Sequence, residues 1–267
     1  MRLLFYTLLL TLLSTTFVVA DTSILQVDQQ RGPWTDTVDE DARDYAYTLD
    51  NFSFRGPTAL RFELREGDCY TAYPLNPASG WDDCTRDRER SEVREKWSAP
   101  VDTSMWYQIH LYIPNDYQPM YPKQIFWQWH NGIWGPNLYF HLNENKFHID
   151  ILTEKHNTTT QYTFGTDVLT LGEWHELTVN VVWSGSEDRG RMVLYVDGKR
   201  LVEHYGATLD PATYETGRGP HVKYGIYRSH LFRWDLPEPL PTHVLYFDEY
   251  RRGYSPADVD ADNYAGD

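Results

Sequence analysis

The sequence predicts an all-β fold in which two antiparallel sheets pack face to face as a sandwich or jelly roll. Strand-like runs follow one another from Tyr45 onward, turn residues separate many of them, and helical periodicity is nearly absent. Strands without helices bury their apolar faces against a second sheet. The broad outer face of such a sheet can curve into a binding groove.

The predicted strands alternate apolar and polar residues or are rich in β-branched and aromatic residues. In chain order they are residues 59–64, 91–96, 106–113, 124–130, 137–142, 146–151, 175–183, 191–196, 199–203, 221–227 and 243–251. Three connections predict hairpins: residues 143–145, the longer loop 185–190, and the dipeptide Asp197-Gly198, which is typical of two-residue turns.

The two ends of the chain differ from this pattern. Arg2 precedes an apolar run over residues 3–13, and residues 18–20 (VVA) offer a small-residue cleavage site, so we expect residues 1–20 to be a secretory signal peptide. An N-terminal membrane anchor is the alternative. We expect residues 21–254 to form one secreted, extracellular β domain and residues 255–267 to form a flexible acidic tail.

Two cysteines, Cys69 and Cys84, are the only ones in the chain. In an oxidising compartment they are expected to pair with each other, and closing a loop of about 15 residues stabilises a fold by roughly 3 kcal/mol on the chain-entropy model. A metal site would need more ligands. Asn51 and Asn157 each begin an Asn-x-Ser/Thr sequence, which predicts glycosylated surface loops at both places.

The charge distribution limits the choice of partner. The formal net charge is −15, which argues against nucleic acid, because phosphate binding depends on basic surface. The balance differs locally, since five cations lie within eleven residues: Arg86, Arg88, Arg90, Arg94 and Lys96. A solvated strand with salt-bridged faces is the alternative explanation for this run, because acidic residues accompany the basic ones.

Three predicted strands each carry polar, chemically versatile side chains on a single face. Residues two apart in a strand project together, because successive residues point to opposite faces. The sets are Arg90, Glu92 and Arg94 in residues 90–94 (RSEVR), Gln128 and His130 in residues 128–130 (QWH), and Lys223, Gly225 and Tyr227 in residues 223–227 (KYGIY). Placed side by side, these strands would line one groove with cations, an amide, an imidazole and a phenol. Such a set suits a carboxylate-bearing sugar.

The strand 124–130 illustrates the expected alternation. Ile125, Trp127 and Trp129 are expected to face the core, and Gln124, Phe126, Gln128 and His130 to face outward. A competing pair, Gln108 and His110, lies in the strand 106–113, but no cationic strand adjoins it in sequence. For Gly225 two explanations stay open, the close approach of a sugar to the sheet and a β-bulge.

The three motifs, in this order, resemble the signature strands of the β-jelly-roll polysaccharide lyases, which include alginate lyases. Residues 172–175 (GEWH), 195–198 (YVDG) and 246–253 (YFDEYRRG) are closer to the glucuronan lyase and heparin lyase I relatives. The resemblance spans residues 55–253 and implies a concanavalin-like sandwich with a concave substrate groove. Trp129 and Tyr224 depart from the alginate lyase pattern, which favours glucuronan over alginate as the substrate.

This resemblance implies β-elimination at a 1,4 bond to a uronic acid. Gln128 and Arg94, with Arg90, are the candidates that neutralise the uronate carboxylate. Either His130 or Tyr227 abstracts the C5 proton, and Tyr227 can deliver a proton to the departing O4. The residue patterns leave the assignment of the base open.

Further expectations complete this prediction. Substrate contacts are expected from Arg90, Lys223, Glu92, Asn137 and Tyr139, with Glu92 orienting an arginine. No cofactor is required, although a structural calcium ion is left open. The expected partner is an acidic polysaccharide bound by a monomer, without nucleic acid or membrane. A glycoside hydrolase is the second enzyme hypothesis, although Asp248 and Glu249 are adjacent in a strand and so point to opposite sides. A non-catalytic carbohydrate-binding module is the third.

Overall fold

Strands account for most of the regular backbone structure. The computed structural model describes residues 34–36, 43–69, 82–121, 123–132, 135–154, 160–234 and 236–261. Within these ranges the strands are β1 (Trp34–Asp36), β2 (Tyr47–Asp50), β3 (Ala59–Leu64), β4 (Arg88–Glu95), β5 (Ser104–Tyr112), β6 (Gln124–His130), β7 (Pro136–Asn143), β8 (Lys146–Ile151), β9 (Thr160–Phe164), β10 (Trp174–Val182), β11 (Arg191–Val196), β12 (Lys199–Tyr205), β13 (His221–Ser229) and β14 (His243–Gly253). One short helix, α1 (Pro211–Glu215), and two 3-10 helices, Leu231–Arg233 and Pro256–Val259, complete the described elements.

The described strands form two seven-stranded sheets. Sheet A has the order β1-β4-β13-β6-β7-β8-β9, and sheet B has the order β12-β11-β10-β5-β14-β3-β2. All neighbouring strands pair antiparallel. The predicted all-β sandwich of antiparallel sheets is therefore confirmed. Strands from distant parts of the chain, β4, β13 and β6, are neighbours in sheet A.

The hydrophobic core lies between the sheets and is rich in aromatic residues. Trp127 and Trp129 of sheet A contact each other with ring centroids 4.5 Å apart, and Trp129 also packs on Tyr107 of sheet B at 5.3 Å. Both tryptophans are fully buried. Burying a large apolar side chain contributes roughly 1.5–3 kcal/mol, so these residues fix β6 firmly against sheet B.

The predicted alternation of β6 fails in its first half. The register shifts between Ile125 and Trp127, which marks a β-bulge, and Phe126 packs on Phe140 and Phe147 in the core. Ile125 is instead the register partner of Tyr227, so the two share the outer face of sheet A. The extra residue reverses the predicted orientation at Gln124, Ile125 and Phe126, and Gln124 is fully buried, where it accepts a hydrogen bond from the Tyr117 hydroxyl. Gln128 and His130 keep the predicted orientation.

The segment after β14 packs on sheet B. Residues 256–259 form a 3-10 helix with a capping box from Ser255 and Asp258. Val259 and Ala261 are fully buried against Trp106 and its neighbours. The prediction of a flexible tail from residue 255 is wrong for residues 255–261, because two apolar side chains anchor this segment to sheet B. Residues 262–267 lie outside the described residues.

Several local predictions are confirmed. Cys69 and Cys84 form a disulfide. Asp197 and Gly198, both with positive φ, connect β11 to β12 as a two-residue turn. Asn51 lies exposed in the loop after β2, whereas Asn157 and the predicted signal peptide lie outside the described residues. In the described part of the chain, no helix has the length and apolarity to cross a membrane.

Candidate active site

The candidate site lies on the outer face of sheet A, where β4, β13, β6 and β7 run side by side. We call this outer surface the polar face. In the register of the sheet, Lys223 of β13 lies opposite both Arg94 of β4 and Gln128 of β6, and Gln128 lies opposite Tyr139 of β7. Directly opposite residues of antiparallel strands point to the same side. Four predicted site residues therefore form one row across four strands.

Glu92 is the centre of a buried polar cluster beside this row. Its carboxylate is fully buried and accepts hydrogen bonds from the amide of Gln128 and from Lys223 Nζ, the latter at 2.8 Å. A third donor, Arg90 Nη1, lies 3.4 Å from Glu92 Oε2. These contacts join the three motif strands and fix the orientation of the Gln128 amide. The predicted role of Glu92 is to orient an arginine, and the observed contacts extend this role to an amide and a lysine.

Arg90 and Tyr227 form the second row of the site. They are register partners on β4 and β13, and the guanidinium carbon of Arg90 lies 4.5 Å from the centroid of the Tyr227 ring. Asp83 binds the same guanidinium through both carboxylate oxygens. Burial raises the pKa of Tyr227 to about 12, and the positive charge of Arg90 opposes this increase.

His130 is half-buried and held by a backbone contact. Its Nδ1 atom accepts a hydrogen bond of 2.8 Å from the backbone N–H of Gly132. An Nδ1 atom that accepts from an N–H group carries no proton, so the neutral ring carries its proton on Nε2. Burial, together with Lys223 and His221 nearby, lowers the pKa of His130 well below its usual value. The imidazole is therefore a neutral hydrogen-bond donor at Nε2.

The register separates His130 from Tyr227. Tyr227 lies opposite Ile125, and His130 follows Ile125 by five residues, so the two Cα levels are about 16 Å apart along the strands. Gln128 and Lys223 lie between these levels. The side chains approach each other more closely than these backbone levels, because Arg90, which lies against the Tyr227 ring, is also near enough to His130 to lower the pKa of its imidazole.

Lys223 is a buried cation whose pKa is lower than that of an ordinary lysine. Burial lowers the pKa of its ammonium group to about 8, although Glu92 stabilises the charged form. Arg94, in the same row, is exposed at the surface. The polar face thus combines an exposed arginine with a buried lysine that loses its charge in mildly alkaline solution.

Gly225 has an explanation in the backbone rather than in a ligand. Its φ angle is +132°, and a Cβ atom there would clash with the carbonyl oxygen of Ser91 and lie 3.0 Å from the ring of Phe62. The register on β6 shifts between Tyr224 and Tyr227. Of the two explanations for this glycine, the structure supports the bulge, because the missing side chain makes room for β4 and the core.

The two predicted substrate contacts on β7, Tyr139 and Asn137, differ in how many of their polar groups already bind other residues. Tyr139 lies on the polar face, where its hydroxyl accepts a hydrogen bond of 2.9 Å from Lys123 Nζ. The Asn137 amide nitrogen donates to Asp210 and to the carbonyl of Leu152, and its oxygen accepts from Asn131. These bonds use both N–H groups of the Asn137 carboxamide, so it can contact a sugar only as an acceptor, through its oxygen.

A further buried cluster continues the polar face beyond Tyr139. Asp150 accepts a hydrogen bond from Gln161 at 2.7 Å, and His141 Nε2 lies 3.4 Å from the same carboxylate. Burial alone would raise the pKa of Asp150, but the nearby His141 and hydrogen bonds from Tyr139 and Gln161 lower it to about 2. Asp150 therefore remains charged at neutral pH.

The competing pair lies on the other sheet. Gln108 donates to Thr178 at 3.2 Å, and His110 stacks on Phe54 with ring centroids 3.9 Å apart, both in the pairing region of β5 within sheet B. The structure therefore separates Gln108 and His110 from the three motif strands. Within the described residues, no group of three or more His, Cys, Asp or Glu side chains has the geometry for a metal ion.

Sequence reasoning missed two residues of the site. His221 is the register partner of His130, with ring centroids 5.6 Å apart, and alternation from Lys223 would have placed it on the same face. Asp83 precedes Cys84 in a turn, and only its position beside the disulfide indicated that it lies near the arginine strand.

Comparisons with known proteins give consistent results. A family model described as polysaccharide lyase matches residues 22–251. The endo-β-1,4-glucuronan lyase of the fungus Trichoderma reesei has a similar structure, with a TM-score of 0.61 and 17% identity over 86% of this chain and 98% of that one. No curated protein matches the sequence.

Other similar structures have different activities. An alginate lyase of polysaccharide lyase family 7 gives a TM-score of 0.55 at 15% identity, covering 84% of this chain and 94% of that chain. The catalytic domain of a family 131 β-glucanase from Podospora anserina gives 0.54 at 10% identity, covering 86% and 88%. At such low identity, the structural matches establish a shared jelly-roll fold only.

Proposed function

The chain belongs to the polysaccharide lyase family, and from this premise we propose that it cleaves a 1,4-linked polyuronate by β-elimination. The observation that carries the proposal is the cluster around Glu92, which aims the Gln128 amide and Lys223 from adjacent strands. Arg94 lies in the same row. An amide and two cations in one row suit a sugar carboxylate, whose charge must be stabilised before its C5 proton becomes acidic.

We assign carboxylate binding to Gln128, Arg94 and His130. The Gln128 amide nitrogen has a second N–H group besides the one that binds Glu92, and His130 offers its Nε2–H. Both groups are neutral donors, so they bind the carboxylate through hydrogen bonds without transferring a proton to it. Arg94 supplies positive charge at the same row of the sheet.

Proton transfer is then assigned to Tyr227. The ionised phenol removes the C5 proton, the electron pair forms the C4–C5 double bond, and the C4–O4 bond breaks. The phenol returns the proton to the departing O4. His130 is less suited as the base, because its Nε2 holds a proton and its Nδ1 accepts from Gly132. Arg90 favours the ionised form of Tyr227, whose pKa is otherwise raised by burial.

Glucuronan is the proposed first substrate and alginate the second. The support for glucuronan is that the structural match covers 98% of the glucuronan lyase chain. In the sequence alone, Trp129 and Tyr224 also favour glucuronan. The structure removes this second support, because both side chains are buried in the core and cannot contact a substrate. We propose further that the enzyme acts as a secreted monomer, and the Cys69–Cys84 disulfide is compatible with an oxidising compartment.

The experiment that tests the function incubates the purified protein with glucuronan, alginate and heparin in parallel. A lyase produces ultraviolet absorbance from the new double bond conjugated to the carboxylate. A hydrolase produces reducing ends without that absorbance, and a binding module produces neither. We expect absorbance with glucuronan above alginate. Reducing ends alone, on a neutral β-glucan included for this purpose, would instead favour the hydrolase alternative, for which the β-glucanase fold is a precedent.

Tyr227→Phe tests the proposed proton transfer. Removing the hydroxyl should lower kcat by about 100- to 10,000-fold, the usual range for general acid–base catalysis, and leave binding largely intact. The measurement is the initial rate of absorbance increase, with thermal melting to confirm folding. Tyr205→Phe, on the exposed edge strand of sheet B, is the control and should keep the full rate. Equal rates in the two variants would exclude Tyr227 as the proton-transfer residue.

A further inference from the structure

Asp83 is a buried acid that the proposed chemistry does not use directly. Its side chain has no exposure to solvent, and its two carboxylate oxygens bind Nε and Nη2 of Arg90 as a parallel pair. Such bidentate pairs fix the plane of a guanidinium group as well as its position. By binding Nε and Nη2, Asp83 fixes the direction in which the other N–H groups of the Arg90 guanidinium point.

The same guanidinium makes two contacts inside the site. Arg90 Nη1 lies 3.4 Å from Glu92 Oε2, and its carbon lies 4.5 Å from the centroid of the Tyr227 ring. A rotation of the guanidinium plane would break the first contact and remove positive charge from the face of the Tyr227 ring. The contacts of Arg90 with Glu92 and with Tyr227 therefore both depend on the orientation that Asp83 gives to the guanidinium.

Each cysteine of the disulfide lies next to a residue that binds Arg90. Cys84 follows Asp83, and Cys69 follows Asp68, whose backbone oxygen accepts a hydrogen bond of 3.0 Å from the Arg90 backbone N–H. The bond between the two sulfurs thus joins the segment that binds the Arg90 side chain to the segment that binds its backbone. Asp83 is further held in its turn, because its carbonyl accepts from the backbone N–H of Arg86 and of Arg88, each at 3.1 Å.

We propose that Asp83, anchored by the Cys69–Cys84 disulfide, is a positioning residue that holds Arg90 in register with Glu92 and Tyr227. This inference rests on the proposed function, since it concerns how that site is aligned. Asp83 does not contact the reacting atoms and acts only through Arg90. The disulfide thereby supports the catalytic geometry in addition to the stability of the fold.

The test compares Asp83→Asn with a matched variant at a second buried ion pair. The asparagine side chain would lose one acceptor and turn an amide N–H₂ group toward the guanidinium, which displaces Arg90. Glu89→Gln is the control, because Glu89 forms a similarly buried pair with Arg228, at 2.6 Å, on the opposite face of β4. Both variants lose a buried ion pair, but only Asp83 touches the site. We expect kcat to fall about 100-fold in D83N, the scale of a misplacement near 1 Å, and less than about fivefold in E89Q.

The dependence of kcat on pH is a second measurement, and a mere loss of stability would not change it. Wild-type kcat should rise with pH as Tyr227 ionises. Besides burial, four charged groups act on Tyr227: Arg90 and Arg88 lower its pKa, and Asp83 and Glu92 raise it. D83N removes the Asp83 charge, which alone would move the rise to lower pH, whereas a displaced Arg90, the larger of these two influences, moves it to higher pH. We therefore expect a net move to higher pH, and a move to lower pH would show that Arg90 has kept its position and would contradict the inference. The profile of E89Q should coincide with that of the wild type. Equal profiles, or equal losses of kcat in the two variants, would overturn the inference.

Two further variants keep the inference testable if D83N is poorly folded. In an Arg90→Ala background, D83N should change kcat no further, since Asp83 acts through Arg90 alone; an additional loss of the same size would contradict this. The double variant Cys69→Ala and Cys84→Ala should lower kcat and shift the profile in the same direction as D83N, and an unchanged profile would remove the disulfide from the proposal. Failure of the proposed function itself is visible separately, as a wild-type protein that yields no unsaturated product.

Discussion

At the level of single residues, one backbone hydrogen bond determines what His130 can do. An imidazole in a lyase site could accept the C5 proton or donate a hydrogen bond to the carboxylate. Because Gly132 N–H occupies Nδ1, the neutral ring presents a donor at Nε2. Burial and nearby cations lower the pKa of His130, so the ring does not gain a second proton near neutral pH. The donor role that we propose for His130 therefore depends on the backbone N–H of Gly132, two residues along the chain.

Two substitutions at His130 separate a donor from a base. In His130→Gln the side-chain amide can still donate a hydrogen bond, so kcat should stay within about tenfold of the wild type. In His130→Ala the donor is absent, and kcat should fall by about 100-fold or more. Steady-state rates on the best polyuronate, with melting temperatures as the folding control, measure both. If the two variants are equally inactive, His130 is the base and Tyr227 serves only as the acid.

The sequence predicts individual site residues to different extents. Alternation along β4, β6 and β13 correctly places Glu92, Gln128 and Tyr227 on one face, because a strand restricts each side chain to one of two directions. Asp83 lies in a turn, where no such period applies, and its partner Arg90 is identified only by the folded geometry. Residues held by turns and long-range contacts are therefore the ones that pattern analysis misses.

At the level of elements, β13 joins both rows of the site, and its bulge at Gly225 determines which residue of β6 lies beside Tyr227. β4 pairs with β13 in regular register, whereas the pairing with β6 shifts between Tyr224 and Tyr227. The shift places Ile125 opposite Tyr227, where a regular ladder would place Gln124. Tyr224 and Ile226 stay in the core, as the regular pairing with β4 requires.

Gly225→Ala should therefore destabilise the fold strongly. The new methyl group would clash with the Ser91 carbonyl oxygen and lie 2.8 Å from the Glu92 Cα atom, at a φ of +132° that side chains rarely adopt. The strained backbone alone costs about 1–3 kcal/mol, and overpacking adds to this cost. Urea unfolding measures the difference in the free energy of unfolding.

Gly56→Ala is the control for this measurement. Gly56 also has a positive φ, but no atom lies within 4 Å of the position that a Cβ atom would take there. Only the smaller backbone cost is therefore expected for the control. Equal losses of stability in the two variants would show that β4 does not crowd Gly225.

Interior strands are predicted more completely than edge strands. The strands at Ala59–Leu64, Gln124–His130 and Lys146–Ile151 have the bounds that the residue pattern predicts. The missed strands β1, β2 and β9 all lie at sheet edges and have three to five residues. Edge strands are short and half-exposed, so they carry little of the apolar periodicity on which the prediction depends.

At the level of the whole molecule, overall charge and local charge have opposite signs. The formal net charge is −15, whereas the row that would hold the sugar carboxylate includes Arg94 and Lys223. A polyanionic substrate is repelled at long range and attracted at short range. The balance depends on ionic strength, since the screening length falls from about 30 Å at 0.01 M salt to about 8 Å at 0.15 M.

Because of this balance, kcat/KM on a long polyuronate should increase as salt is raised from about 0.01 to 0.15 M and decrease at about 1 M, where screening reaches about 3 Å. The first change reflects the loss of long-range repulsion, which acts on diffusional encounter, and the second reflects the weakening of contacts with exposed Arg94. Initial rates at limiting substrate measure the profile. Arg94→Gln should lower kcat/KM at every salt concentration and flatten the decrease at high salt, while keeping the initial increase. A rate that falls steadily from the lowest salt in the wild type would show that local cations dominate the encounter, contrary to the expectation from net charge.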